Sequence, residues 1–239
     1  MNQYEKEFQK FCEIAGRDTS YEEAVEEVKN VLVSKSDFGG QEAIVVLGYS
    51  GNGKTSWIRQ FRRDNPGYEV ISFDEIVGRL TAEYGVNFDS GLLIRKIGEE
   101  IDRLSEDNCN IIFDGRFLNI FTRAALTQTL HSYDYFVSMV DLTDYVDQIL
   151  PKRISDCWEK DLGYKVTSRN LADVIKDPRA KKRYEEIMNY YKFEKESSLF
   201  PLQKKMGVAF LGSDFVMDVD GKTKNDFDTS EAHKWGLLD

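Results

Sequence analysis

The chain reads as an α/β protein, a parallel five-stranded sheet with helices packed on both faces in three layers. Three observations predict it. Short, continuous apolar runs such as Ala43–Leu47 and Tyr135–Val140 fit strands buried on both sides. They alternate with stretches whose apolar residues recur at three- and four-residue spacing, which argues for βαβ units. A glycine-rich segment, Gly48–Thr55, lies directly after the first run and before the first helix, at a strand-loop-helix junction.

The elements follow in order. Residues 1–40 read as an N-terminal helical extension of two amphipathic helices. Phe8, Phe11, Cys12 and Ala15 form one stripe, and Val25, Val28 and Leu32 form a second behind the capping box Ser20/Glu23. Gly39-Gly40 ends the pattern. The main domain is expected over 41–220. Its first strand is Ala43–Leu47, followed by a helix over Lys54–Asp64 that stops at Asn65-Pro66-Gly67. Glu69–Phe73 is the second strand, and Ser90 opens a helix to Ser105 with Leu93, Ile97 and Ile101 on one face. Asn110–Phe113 is the third strand, with a helix to Leu130, and Tyr135–Leu142 is the fourth. A lid of helical and loop segments spans about 148–198, with Tyr184, Ile187 and Tyr191 at helical spacing. Val208–Leu211 and Phe215–Val219 offer a last strand or a hairpin, and 221–239 is a polar, acidic, peripheral tail.

Composition narrows the function classes. With 239 residues and 41% hydrophobic side chains, the chain has the apolar content of a globular protein. Lysine and arginine number 32 against 42 aspartates and glutamates, a net charge of −10. A general basic coat for duplex DNA or an anionic membrane is therefore disfavoured, although a local basic groove remains compatible. No apolar run approaches the ~20 residues that span a bilayer, and Met1–Lys6 has no apolar signal core. No membrane association and a cytoplasmic location are expected. Three scattered cysteines, two histidines and no C-x-x-C pair argue against a disulfide framework or a zinc site.

The sharpest signal is Gly48-Tyr-Ser-Gly-Asn-Gly-Lys-Thr55, a complete G-x-x-x-x-G-K-T. It predicts a P-loop NTPase three-layer sandwich. Gly48, Gly51 and Gly53 permit the backbone geometry that turns N–H groups around phosphate oxygens, with Ser50, Asn52 and Ser56 completing the cradle. The helix beginning at Lys54 aims its positive dipole end at the same anion. Lys54 is expected to reach the β- and γ-phosphates and Thr55 to hold Mg²⁺, so ATP and Mg²⁺ are the expected ligands. A switch GTPase would carry D-x-x-G and N-K-x-D segments, and neither occurs. Phe73-Asp74-Glu75 superficially resembles the strand ending of a motor ATPase, which keeps a non-kinase ATPase acting as an interaction module open.

The stretch from Gly48 to Asp74 resembles the kinase domain of bacteriophage-type polynucleotide kinases. The shared features are the phosphate loop, Trp57, Arg59 and Phe61 in the following helix, the Asn65-Pro66-Gly67 stop and the acid near the end of the second strand. More loosely, Ile111–Asp114 with Leu118-Asn119 and Arg123 is similar to the family's third strand and next helix, and Val140–Leu142 to its fourth strand. The likeness covers about 43–155. Zeta-toxin-like kinases and phage kinases of hydroxymethylated DNA bases share the same skeleton.

The resemblance implies roles. Asp74 would accept the proton of an acceptor hydroxyl and orient its attack; a helix N-cap or a magnesium-water ligand is its competing reading. Asp114 would contact Mg²⁺ or position the acceptor, with capping of the next turn as its alternative. Lid Arg153 would supply positive charge to the migrating phosphoryl group, with Lys152 as rival. Arg116 would face the acceptor pocket and Arg123 would make a structural ion pair, while Lys181–Arg183 reads as a solvated face. Where the family carries an arginine three residues beyond the acceptor-site aspartate, this chain has Val77, with Arg79 two further on as the candidate substrate contact. Phe215–Gly221 mimics the start of a haloacid-dehalogenase phosphatase, but only 18 residues follow it, so it reads as a terminal strand and turn. The expected activity is ATP-dependent phosphorylation of a nucleic-acid hydroxyl, either a polynucleotide 5′-OH or a hydroxymethyl group such as that of 5-hydroxymethyluracil. A small-molecule or nucleotide-sugar kinase is the alternative.

Overall fold

The computed structural model of the chain describes residues 40–49, 51–87, 90–144, 146–163, 165–167, 169–198, 200–205, 207–210, 212–226, 230 and 234. The expected helices of residues 1–39 and Ser50 lie outside the described residues, as do the side chains of a few helical positions, Arg153 among them.

The elements in chain order are β1 (Gln41–Leu47), α1 (Lys54–Asp64), β2 (Tyr68–Ser72), α2 (Phe73–Tyr84), α3 (Ser90–Glu106), β3 (Asn110–Asp114) and α4 (Ile120–Ser132). They continue with β4 (Tyr135–Asp141), α5 (Val146–Leu162), α6 (Leu171–Lys176), α7 (Pro178–Ser197), α8 (Phe200–Lys205), β5 (Phe215–Met217) and β6 (Lys224–Asp226). The strands form one sheet in the order β2-β3-β1-β4-β5-β6. Every neighbouring pair from β2 to β5 is parallel.

The expected five-stranded sheet is corrected to six strands: β6 folds back antiparallel on β5, within what reads as polar tail. All three of its residues are exposed, so no apolar pattern marks it. It is held by its turn and its ends instead. Asp218 N donates to Thr223 O at 2.9 Å and Gly221 N to Asp218 O at 2.9 Å. The Lys224 ammonium reaches both oxygens of Glu42 at 2.6 Å. The turn is also pinned from α1, where Trp57 Nε1 donates to Val219 O at 2.8 Å and the indole stacks on Phe61 with centroids 5.1 Å apart. Phe215–Met217 is thus a strand followed by a turn, as its sequence suggests. Val208–Phe210 is a turn rather than a strand. The helix α2 has no counterpart in the sequence reading; Ser72 caps it by accepting from Glu75 N at 3.3 Å, and Ile76 and Leu80 bury its inner face.

Alternation along the strands builds two cores. Val45, Leu47, Phe113, Val137 and Met139 face α2, α3, α4 and α8, which contribute Leu80, Ile101, Leu130 and Phe200. Ile44, Val46, Ile112 and Val140 face Ile58 and Phe61 of α1. A third cluster, Ile154, Trp158, Val174 and Ala180, ties α5, α6 and α7 together without drawing on the sheet. Helices α5, α6 and α7 therefore carry their own small core. Among the described residues no helix is long and apolar enough to cross a membrane.

Candidate active site

The register sets the site. Val46 pairs with Asp114, Leu47 with Asp141 and Ser72 with Asp114, so the carboxyl ends of β1, β2, β3 and β4 line up along one edge. The chain order reverses on either side of β1, where its neighbours are β3 and β4. In open α/β sheets ligands enter the crevice at such a switch point, and Gly48–Thr55 occupies it here.

The glycines of the loop behave as its geometry requires. Gly51 and Gly53 sit at φ 95° and 76°, a region that penalises side chains. At Gly48 a Cβ would press on Asn52 Cβ at 3.3 Å and Lys54 Cγ at 3.4 Å. Asn52 is fully buried and its amide donates to Leu142 O, which fastens the loop to the end of β4, while its Oδ1 has no hydrogen-bond partner. The Lys54 ammonium folds over the loop and donates to Gly48 O and Tyr49 O, each at 2.9 Å. Ser56 is exposed on α1.

Thr55 and Asp114 meet: Thr55 Oγ1 donates to Asp114 Oδ2 at 2.9 Å. Burial pushes the Asp114 carboxyl above its ordinary value, opposed by the Thr55 hydrogen bond and the charge of Lys54 and reinforced by the charges of Asp74 and Glu75. The acidic pair, the threonine and the lysine therefore share one electrostatic neighbourhood. A hydroxyl beside a carboxylate with excess negative charge around it suits Mg²⁺, a hard cation that takes one or two carboxylates together with phosphate oxygens. Thr55 and Asp114 are the residues that would hold it, and there it would neutralise charge on the transferring phosphate.

Asp74 is exposed in the first turn of α2, beyond the end of β2 rather than on it. Ser72, not Asp74, caps the helix. Asp74 is therefore left with its carboxylate at a helix N-terminus, where negative charge is favoured. Arg79, a turn and more further along, pairs with Glu100 of α3 at 3.4 Å on an exposed face. Arg116 is exposed in the loop just beyond Asp114. Arg153 lies in α5.

Arg123 departs from the expected ion pair. It is fully buried, and its guanidinium donates to Phe117 O at 2.7 Å and to Gln203 Oε1 rather than to a carboxylate. The sequence reading also misses the acids and cations at the end of β4. There Lys204 of α8 bridges Asp141 and Asp144, and donates to Thr143 Oγ1 at 3.0 Å. Burial alone would lower the Lys204 pKa, but the two carboxylates outweigh it and raise it. Lys204 lies 61 positions from Thr143 and 60 from Asp144 in a short helix, so only the carboxylate at a strand end hinted at it.

No protein-family model matches the chain, and no curated protein matches its sequence. Among solved structures, it is similar to a chain of a Pnkp1/Rnl/Hen1 complex at 16% identity, covering 47% of this chain and 38% of that one, with a TM-score of 0.40. The PezAT toxin-antitoxin system of Streptococcus pneumoniae aligns at 17% identity over 84% of this chain and 76% of that one, TM-score 0.44. A gluconokinase from Sinorhizobium meliloti aligns at 15% identity over 82% and 89%, TM-score 0.37. The architecture and the site stand on the strand order, the register and the contacts described above.

Proposed function

We propose that the chain is an ATP- and Mg²⁺-dependent kinase that transfers the γ-phosphoryl group to a hydroxyl of nucleic acid, a polynucleotide 5′-OH or a hydroxymethylated base such as 5-hydroxymethyluracil. The observation that carries the reading is the convergence of Lys54, Thr55, Asp114 and Asp74 at one edge of the sheet, around a phosphate loop in its required strand-loop-helix setting. The loop and Lys54 would hold the triphosphate, and fixed positive charge there stabilises the transferring group. Asp74, exposed at the rim, accepts the acceptor's proton as its oxygen bonds to the γ-phosphorus. The bond from that phosphorus to the bridging oxygen breaks, and ADP leaves. The nucleic-acid acceptor follows from the likeness of Gly48–Asp74 to the phage-type polynucleotide kinases, and Asp74 and Arg116 are both exposed, as contact with a strand end or a flipped base requires. Arg153 and Arg79 are proposed as lid and substrate contacts on the same likeness. Residues 41–220 are proposed as the catalytic domain, extended to Asp226 by β6, with 148–198 as its lid.

The test is a panel of acceptors with γ-labelled ATP: hydroxyl-ended oligonucleotides, hydroxymethyluracil duplex, nucleosides, nucleotide sugars and sugar acids. Label on a nucleic acid is the expected result. Label on a small alcohol alone moves the reading to a small-molecule kinase. ATP hydrolysis with no labelled acceptor refutes the kinase reading. With the acceptor in hand, Asp74→Asn should lose about 10²–10⁴-fold in transfer with ATP binding intact, whereas Lys54→Ala should weaken both.

A further inference from the structure

Between β3 and α4 the chain contains a feature that ordinary packing does not require. Phe117 adopts φ 42°. Asn108 and Asp134, the other non-glycine residues at positive φ among those described, are of types that tolerate it. A phenylalanine there costs on the order of 1–2 kcal/mol. Its ring is nonetheless buried and packs edge-on against two others, Phe73 at 5.9 Å and Phe113 at 6.2 Å. Phe73 immediately precedes Asp74, and Phe113 immediately precedes Asp114. One ring therefore touches the chain neighbours of both candidate carboxylates. Gly115 lies so close to it that a Cβ would fall 2.4 Å from Phe117 Cε2.

The strained residue is clamped from beneath. Arg123 Nη1 donates to Phe117 O at 2.7 Å, and Gln203 Nε2 donates to Leu118 O at 3.0 Å. Arg123 Nη2 and Gln203 Oε1 join the two donors, and the guanidinium lies 5.2 Å from the centre of the Phe200 ring. Arg123 and Gln203 are 0% and 1% exposed. Arg123 Nε has no partner, and burial pushes the guanidinium's pKa down. The charge of Asp141 offsets part of that cost, but the guanidinium's hydrogen bonds go to neutral acceptors, and burying a charge so is costly.

We propose that Phe117 is a positioning residue that sets Asp74 relative to Asp114, with Arg123 and Gln203 as the clamp that holds it in its strained conformation. The inference rests on the kinase reading for the roles of the two carboxylates. The ring fixes the backbone just before each of them, and the clamp supplies the two hydrogen bonds that keep residues 117 and 118 from relaxing. Displacement of a reacting group by about 1 Å costs on the order of 10²-fold in rate, so a small shift of Phe117 would be amplified.

The experiment compares the whole chain with Phe117→Leu, Phe117→Tyr and Gln203→Met. ATP affinity, kcat per ATP-binding site, acceptor KM and Mn²⁺ affinity in the presence of ADP are measured for each. Phe117→Leu and Gln203→Met should lower kcat about 10–100-fold and weaken Mn²⁺ binding several-fold, with ATP affinity and acceptor KM within about twofold. Phe117→Tyr, which keeps the ring, should stay close to the parent. Gln203→Met leaves Phe117 in place and decides the matter if Phe117→Leu does not fold. Variants that are less stable but equal to the parent in kcat per site and in Mn²⁺ affinity would overturn the proposal and make the unit mere packing. If the parent phosphorylates no acceptor, the kinase reading fails, and Mn²⁺ affinity alone then decides the positioning role.

Discussion

Replacing Asp114 by asparagine should stabilise the folded chain while destroying its response to a divalent cation. The carboxyl of Asp114 is pushed above its ordinary value first by burial, against which the Thr55 hydrogen bond and Lys54 pull, and then by Asp74 and Glu75. An acid with a raised folded pKa keeps a proton that the unfolded chain has released. The penalty is therefore absent at low pH, grows as pH rises from the ordinary value of 3.8 through the folded value, and stands in full at neutrality. Asparagine is nearly isosteric, and its Oδ1 still accepts from Thr55 Oγ1, so the 2.9 Å hydrogen bond is kept while the charge is lost. Relief of an unfavourable site charge of this kind is worth about 0.5–2 kcal/mol. For a chain of this size that is roughly 1–8 °C in melting temperature. Urea unfolding of both proteins at pH 7 and at pH 4 measures it, with and without Mg²⁺·ADP. The variant should be the more stable at pH 7, its advantage should shrink at pH 4, and Mg²⁺ should add stability to the parent beyond what ADP alone gives. A variant less stable at pH 7, or an advantage unchanged by pH, would refute the electrostatic account of this corner.

Two further outcomes test the fold around the site. Gly221→Ala places a Cβ 2.8 Å from the Phe61 ring at a residue with φ 71°, so it should cost about 2–3 kcal/mol in urea unfolding; a change below about 0.5 kcal/mol would mean that the β5–β6 turn is not pinned to α1. Trp158→Ala removes a buried indole and its 2.9 Å hydrogen bond to Ala180 O, a loss of about 3–5 kcal/mol to the cluster of α5, α6 and α7. Hydrogen exchange should rise across α5–α7 and stay unchanged in β1, β3 and β4, whereas a uniform rise would show that these helices and the sheet unfold together.

What the sequence makes legible is local. The loop Gly48–Thr55 and the helix α1 are written in contiguous residues: an apolar strand, three spaced glycines, a lysine and a threonine, then an Asn-Pro-Gly stop. The expected helix over Lys54–Asp64 has the bounds found in the structure. The strands β1, β3 and β4 are legible too, because strands buried on both faces must be apolar throughout. The helix α2 is not. It begins at the residue after β2, and Ser72 serves as both strand end and cap, so the period changes with no glycine or proline to mark it. β6 is hidden for the opposite reason, since its stability comes from backbone pairing, a tight turn and an ion pair to Glu42 rather than from apolar burial.

The candidate site divides along the same line. The loop motif alone names Lys54 and Thr55, whereas Asp74 and Asp114, each near a strand end, are named through the likeness to phage-type polynucleotide kinases. Their meeting is a matter of register: Thr55 lies 59 positions before Asp114, and only the parallel pairing of β1 with β3 brings hydroxyl and carboxylate to 2.9 Å. The same holds more strongly for the clamp, where Arg123 and Gln203 are 80 positions apart and nothing in the sequence pairs them. Short-range periodicity and turn chemistry act between neighbours in the chain and can be read there. Burial of a guanidinium, the charge felt by a carboxylate and the strain on Phe117 depend on atoms supplied by distant segments, and only the packed structure brings those together.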